Sequence, residues 1–292
     1  MFPFIQVGPL RLGTYGLMVW LAFCCAYFVL AADLRRRKLP GDALNIILLL
    51  VVAGLAGSKL YHLLESPQEF LANPIGLFFS SYGFAWFGGF LGGLAVLLAV
   101  ARHYRIPILT FLDACSPAGA LGYAIGRMGC LLSGDGDYGK YTSLPWGMKF
   151  YPEVGCPGKH FICLVRGSLV PSAGTTVGLP TSAIVPVHPT PIYEFIAGVL
   201  IAWALWHWGS RRRRDKAPAG TILAGYLLLT GLARFLVEFI RINPRSAFGV
   251  LTNAQVASLV SIVAGAALIF ALRSRTPEAA KQPKTANQPG RR

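Results

Sequence analysis

Seven stretches of the chain are apolar for long enough to cross a bilayer, and short polar or basic breaks separate them. They cover roughly residues 14–34, 43–64, 84–101, 110–132, 190–209, 219–240 and 253–272. A spanning helix needs about 20 largely apolar residues, and these runs approach or reach that length. A transmembrane β-barrel would instead show segments of about ten residues with alternating polarity, and the sequence has none. The expected fold is therefore all-α: a polytopic membrane protein of about seven transmembrane helices with a long extracytoplasmic loop region. Residues 1–275 form one integral membrane domain that includes the connection at 133–189. Residues 276–292, rich in Pro, Gln, Lys and Ala, read as a disordered basic cytoplasmic tail.

The breaks alternate in charge. Arg35-Arg36-Arg37-Lys38 follows the first run, Arg102 and Arg105 the third, and Arg211 to Arg214 with Lys216 the fifth. Arg273, Arg275, Lys281, Lys284, Arg291 and Arg292 follow the seventh. Glu65 and Glu69 follow the second, with no basic residue before the third. All basic clusters thus fall on one side, which orients the chain with its N-terminus outside and its C-terminus in the cytoplasm. Hydrophobic residues make up 54% of the chain and charged residues 13%. A soluble domain carries roughly one quarter charged residues. The net charge of +15 is then topological, and nucleic acid is excluded as a partner. The first apolar run ends in a basic stop, so no cleavable signal peptide is expected. No internal repeat is present, which removes the inverted-repeat signature of many transporters.

The connection at 133–189 is long for a helix bundle, and loops of that length are functional or disordered. Its Tyr141, Trp146, Phe150 and Tyr151 suggest short strands packed on the membrane face. The cysteines form no metal-ligand pattern. Cys24, Cys25 and Cys115 fall in spans as small apolar residues. Cys156 and Cys163 lie in the long connection, where an oxidising compartment would allow a disulfide; the sequence leaves bonded and free open.

Three groups of polar residues carry candidate chemistry. The first is Gly126-Arg127-Met128-Gly129-Cys130, which ends the fourth span and runs into Ser133-Gly134-Asp135-Gly136-Asp137-Tyr138-Gly139. Lipid satisfies neither an ionised side chain nor irregular backbone, so this segment must face protein, water or a polar ligand. Arg127 offers a forked donor suited to phosphate oxygens. An internal pair with Asp135 or Asp137 is the alternative. The second group is Arg234, Glu238 and Arg241 at the end of the sixth span, spaced four and three apart on one helical face. One Glu between two Arg leaves net positive charge; a purely structural ion network is the alternative. The third is His188-Pro189-Thr190-Pro191-Ile192-Tyr193-Glu194, where Glu194 lies about one turn inside the fifth span. A buried acid there needs a basic partner or stays neutral. Lys59 is a further embedded charge that can answer one of these acids. Gly88-Gly89 and Gly92-Gly93 permit close helix approach or ligand access. Tyr15 places a hydroxyl at the interface, a position that anchoring tyrosines also occupy. Two Arg clusters and several carboxylates at one face suit an anionic headgroup whose acyl chains stay in lipid.

Together these segments resemble the phosphatidylglycerol–prolipoprotein diacylglyceryl transferase family over nearly the whole chain. The resemblance rests on Thr14-Tyr15-Gly16-Leu17-Met18, Phe87-Gly88-Gly89, Gly126-Arg127-Met128-Gly129, His188 to Glu194 and Arg234 to Arg241. It implies a seven-span enzyme of the bacterial cytoplasmic (inner) membrane with no metal or cofactor. The implied partners are phosphatidylglycerol, within membrane lipid, and the lipobox cysteine of a prolipoprotein signal peptide. The implied reaction moves the diacylglyceryl group to that thiol and releases glycerol phosphate. The resemblance implies catalytic roles for Arg127, Arg234 and Glu238, and substrate binding by Tyr15, Arg127, Gly139, Glu194, Arg234 and Arg241; for the base, Asp135 and Asp137 are the nearest candidates, ahead of His188. Three departures stand out. The family often has a His before the Gly-Gly of the third span, where this chain has Phe87. Cys130 stands where Asn is usual, and Ser133-Gly134-Asp135 replaces Asn-Gly-Glu with one extra residue before Tyr138. Two other readings remain: a catalytically divergent relative that binds anionic lipid or lipoprotein, and an anion transporter.

Overall fold

A computed structural model describes residues 4–7, 10–78, 80, 85–134, 139–148, 162–165, 168–171, 186–214, 217–243 and 249–279. A strand pair, β1 (Phe4–Val7) and β2 (Leu10–Gly13), leads into helices α1 (Thr14–Arg37) and α2 (Ala43–Glu65). Two short helices, α3 (Pro67–Ala72) and α4 (Pro74–Phe78), precede α5 (Trp86–His103) and α6 (Ile108–Ser133). A second antiparallel pair, β3 (Ile162–Val165) and β4 (Ser168–Pro171), lies in the long connection. Then come α7 (Thr190–Arg214), α8 (Thr221–Glu238) and α9 (Asn253–Ala279). Among the described residues, α1, α2, α5, α6, α7, α8 and α9 are long and apolar enough to cross a membrane. The protein is an all-α, multi-pass membrane protein.

Most helix ends differ from the expected ones by a few residues. Helix α8 stops at Glu238, before the expected 240, so Arg241 sits in the turn that follows. Helix α9 runs to Ala279, past the 272 expected for the seventh span. Cys156 lies outside the described residues, so the disulfide question falls there too. The strands expected in the long connection appear as β3–β4 and as bridges of Val187 with Tyr141 and Met148.

Local chemistry explains the ends at the basic face. Helix α1 ends with Lys38 in the left-handed region (φ 54), and Lys38 and Leu39 donate their N–H groups back to Arg35 and Leu34. Helix α5 ends the same way through Arg105 (φ 55), with Arg105 and Ile106 donating to Arg102 and Ala101. This is the Schellman arrangement: it satisfies orphan carbonyls and turns an apolar residue, here Leu39 or Ile106, back onto the core. Pro40 and Pro107 follow and bar continuation. Asp42 then caps α2 by accepting from the Leu44 N–H at 3.0 Å. Gly220 has no side chain with which to cap α8, and Asp113 of α6 does so instead. Its carboxylate accepts from the Gly220 and Leu223 N–H groups at 2.8 and 2.7 Å.

Packing pairs the helices as α1 with α6, α2 with α5, α6 with α7, and α8 with α9. Helices α2 and α5 touch through small residues. A Cβ on Gly88 would collide with the Gly57 carbonyl, and one on Gly92 with the Ala53 carbonyl. This close approach was expected of the glycine pairs. The core that joins α2 and α5 to α1 and α6 draws on Leu30, Leu34, Ile46, Ala101, Ile106 and Phe111, all toward the basic end. Asp33, fully buried, pairs there with Arg36 and Arg37, and Arg36 also donates to the Trp206 carbonyl of α7.

Candidate functional site

The opposite end of the bundle gathers the predicted polar residues. Arg127 lies about 9 Å before the end of α6, and Glu194 about 6 Å inside α7, at ~1.5 Å rise per residue. Arg234 and Glu238 form the last turn of α8, and Arg241 follows it. Antiparallel packing of α6 on α7 and α7 on α8 brings these ends together.

Glu194 is the hub. Its Oε2 accepts from Arg127 Nε at 2.8 Å and lies 2.7 Å from Arg127 Nη2. Arg241 Nη1 reaches the same oxygen at 3.3 Å. Its Oε1 accepts from the Tyr123 hydroxyl at 2.6 Å and from Arg234 Nη1 at 3.2 Å. Glu238 forms the second carboxylate, 2.8 Å from Arg234 Nη1 and 3.5 Å from Arg241 Nε. Both carboxylates are buried, which is tolerable only because each is paired and hydrogen-bonded. Among the described residues, three guanidinium groups against two carboxylates leave one positive charge.

The three arginines differ in exposure: 23% for Arg234, 14% for Arg127 and 5% for Arg241. Arg241 is thus an internal clamp, and Arg234 and Arg127 are the groups that can meet a ligand. Among the described residues Arg234 engages both carboxylates through Nη1 alone, which leaves Nε and Nη2 for another acceptor. Arg127 also lies over the Tyr123 ring at 5.6 Å and directs Nη1 toward the Cys130 sulfur at 3.5 Å.

The chain matches the family model described as prolipoprotein diacylglyceryl transferase over residues 3–271. The chain belongs to the prolipoprotein diacylglyceryl transferase family. Relatives named phosphatidylglycerol–prolipoprotein diacylglyceryl transferase agree. The Bifidobacterium longum (strain NCC 2705) protein is 31% identical over 285 residues, covering 95% of this chain and 85% of its own. That of Geobacter sulfurreducens is 31% identical over 256 residues, covering 86% and 85%. That of Leptospira interrogans (serovar copenhageni) is 30% identical over 260 residues, covering 81% and 72%.

Within this family member, the expected site residues divide as follows. Arg127, Glu194, Arg234, Glu238 and Arg241 meet directly. Gly139 bridges Arg241, and its backbone passes so close to His188 and Ile240 that a Cβ would lie 2.5 Å from the His188 Cβ. Tyr15 opens α1 against α6, where a Cβ on Gly129 would come within 3.3 Å of its ring. Asp135 and Asp137 lie outside the described residues, and Arg127 is held by Glu194. Lys59 donates to the carbonyl and hydroxyl of Ser80 at 3.0 and 2.8 Å. His188 shares a 3.1 Å hydrogen bond with the Tyr193 hydroxyl, which also accepts from Trp146 Nε1. Phe87 packs on Tyr61 and edge-on against Trp86, half-exposed on α5. Tyr123 was missed by sequence reasoning. Its spacing four before Arg127 was the available signal, since such residues share a helical face.

Proposed function

We propose that this protein transfers the diacylglyceryl group of phosphatidylglycerol to the lipobox cysteine thiol of prolipoproteins. The observation that carries the reading is the Glu194-centred cluster: among the described residues, three arginines held on two carboxylates at one end of a membrane bundle. The substrate phosphate is a monoanion, and the partly exposed Arg127 and Arg234 offer it positive charge. As the reaction proceeds, the thiol sulfur forms a bond to the terminal glyceryl carbon. The bond from that carbon to the phosphate oxygen breaks, and its electron pair leaves on glycerol phosphate. Negative charge therefore grows on the phosphate, and preoriented donors aimed at developing charge are the largest single source of rate enhancement in many enzymes. Arg127 and Arg234 supply those donors. Glu194 and Glu238 hold them in register, Arg241 clamps both carboxylates, and Tyr15 and Gly139 border the headgroup. Asp135 takes the thiol proton, since Phe87 offers no base. The cluster faces outward, with the N-terminus outside, the C-terminus cytoplasmic and the bilayer the bacterial inner membrane; the basic runs at the other end support this.

Alanine at Arg127 or at Arg234 tests the assignment. Each variant is expected to insert and fold but to lose about 100-fold or more of its transfer rate, the scale of removing one transition-state donor. Asp135→Asn is expected to slow transfer and to leave phosphatidylglycerol binding intact. Wild-type rates in both arginine variants would remove the mechanism.

A further inference from the structure

The Glu238 carboxylate is divided between two sets of donors. Its Oε2 faces Arg234 and Arg241. Its Oε1 accepts from the Thr252 hydroxyl at 2.8 Å and from Asn243 Nδ2 at 2.5 Å. Thr252 immediately precedes α9 and forms a reciprocal capping box with Gln255. The Gln255 N–H donates to Thr252 Oγ1 at 3.2 Å, and the Thr252 N–H donates to Gln255 Oε1 at 3.1 Å. A hydroxyl has two acceptor lone pairs and one proton. With Oγ1 accepting from the helix, its proton is left for Glu238. Thr252 and Gln255 are both buried, so water does not replace either bond. The start of α9 also carries the positive end of a helix dipole, which favours a carboxylate beside it.

We infer that Thr252 is a positioning residue for the transfer reaction: its hydroxyl fixes Glu238 so that Arg234 and Arg241 keep their orientation. Without the Thr252 hydroxyl, Oε1 keeps only Asn243 Nδ2, so the carboxylate is less firmly held and Arg234 follows it away from the phosphate. The inference rests on the transferase reading above. A cap that merely stabilises α9 makes a different prediction, because Gln255 belongs to the cap but does not touch Glu238.

The test compares Thr252→Val, Thr252→Ser and Gln255→Ala, each as full-length protein in detergent, with phosphatidylglycerol and a one-cysteine lipobox peptide. Rates are normalised to folded enzyme. Thr252→Val, which keeps the shape but loses the hydroxyl, is expected to transfer about tenfold more slowly, the scale of one hydrogen bond to a charged group. Thr252→Ser is expected to restore the wild-type rate. Gln255→Ala is expected to lower the unfolding temperature and to keep the wild-type rate. A wild-type rate in Thr252→Val, or equal losses in Thr252→Val and Gln255→Ala, overturns the inference while the transferase reading stands. No product from the wild-type enzyme overturns that reading and this inference with it, a result visible before any variant is compared.

Discussion

Glu194 is the residue on which the site turns. Three arginines and a tyrosine converge on its two oxygens. Removing one partner of a buried ionic network costs more than the network contributes as a whole, because charges are left uncompensated. Glu194→Gln keeps the shape and removes the charge. Thermal or denaturant unfolding in detergent is expected to show a loss of about 3–5 kcal/mol. Transfer should fall as well, since Arg127 loses its anchor. Unchanged stability would mean that the arginines find other counter-charges. The sequence showed part of this site. Arg234, Glu238 and Arg241 are close in the chain, so their pairing follows from spacing. The pairing of Glu194 with Arg127, Arg234 and Arg241 crosses three helices and depends on their packing, which no local pattern encodes.

At the scale of elements, apolar length and charge breaks placed the seven spans, because bilayer thickness and helix rise fix both. The glycine pairs of α5 were marked by their spacing, whereas the stops that Pro40 and Pro107 impose after α1 and α5 went unread. Hidden from the sequence were the tertiary caps. Asp113 caps α8 from another helix, and Asp33 joins Arg36 and Arg37 where α1 meets α7. Glycine packing gives the sharpest prediction here. Gly92→Val places a branched side chain where the Ala53 carbonyl lies, and an overpacked contact typically costs about 1–3 kcal/mol. The variant is expected to unfold at lower temperature and to separate α2 from α5, read as a longer distance between spin labels on the two helices. An unchanged distance and melting temperature would show that the helices do not need this close approach.

The whole molecule is electrically lopsided. One end carries the basic runs, the Asp33 network and the joined core of α1, α2, α5 and α6. The other carries the arginine–carboxylate cluster, bordered by Gly139 and by the first turns of α1 and α7. A bundle built this way has an apolar core at its basic end and a buried polar cluster at the other. The central claim is that this site transfers a diacylglyceryl group to a thiol. Incubating the purified protein with phosphatidylglycerol and a lipobox peptide of one cysteine, then weighing the peptide by mass spectrometry, tests it most directly. The account predicts a diacylglyceryl adduct on the cysteine peptide and none on the same peptide with serine in its place. An unmodified cysteine peptide, beside a modified one from a relative assayed in parallel, would contradict it.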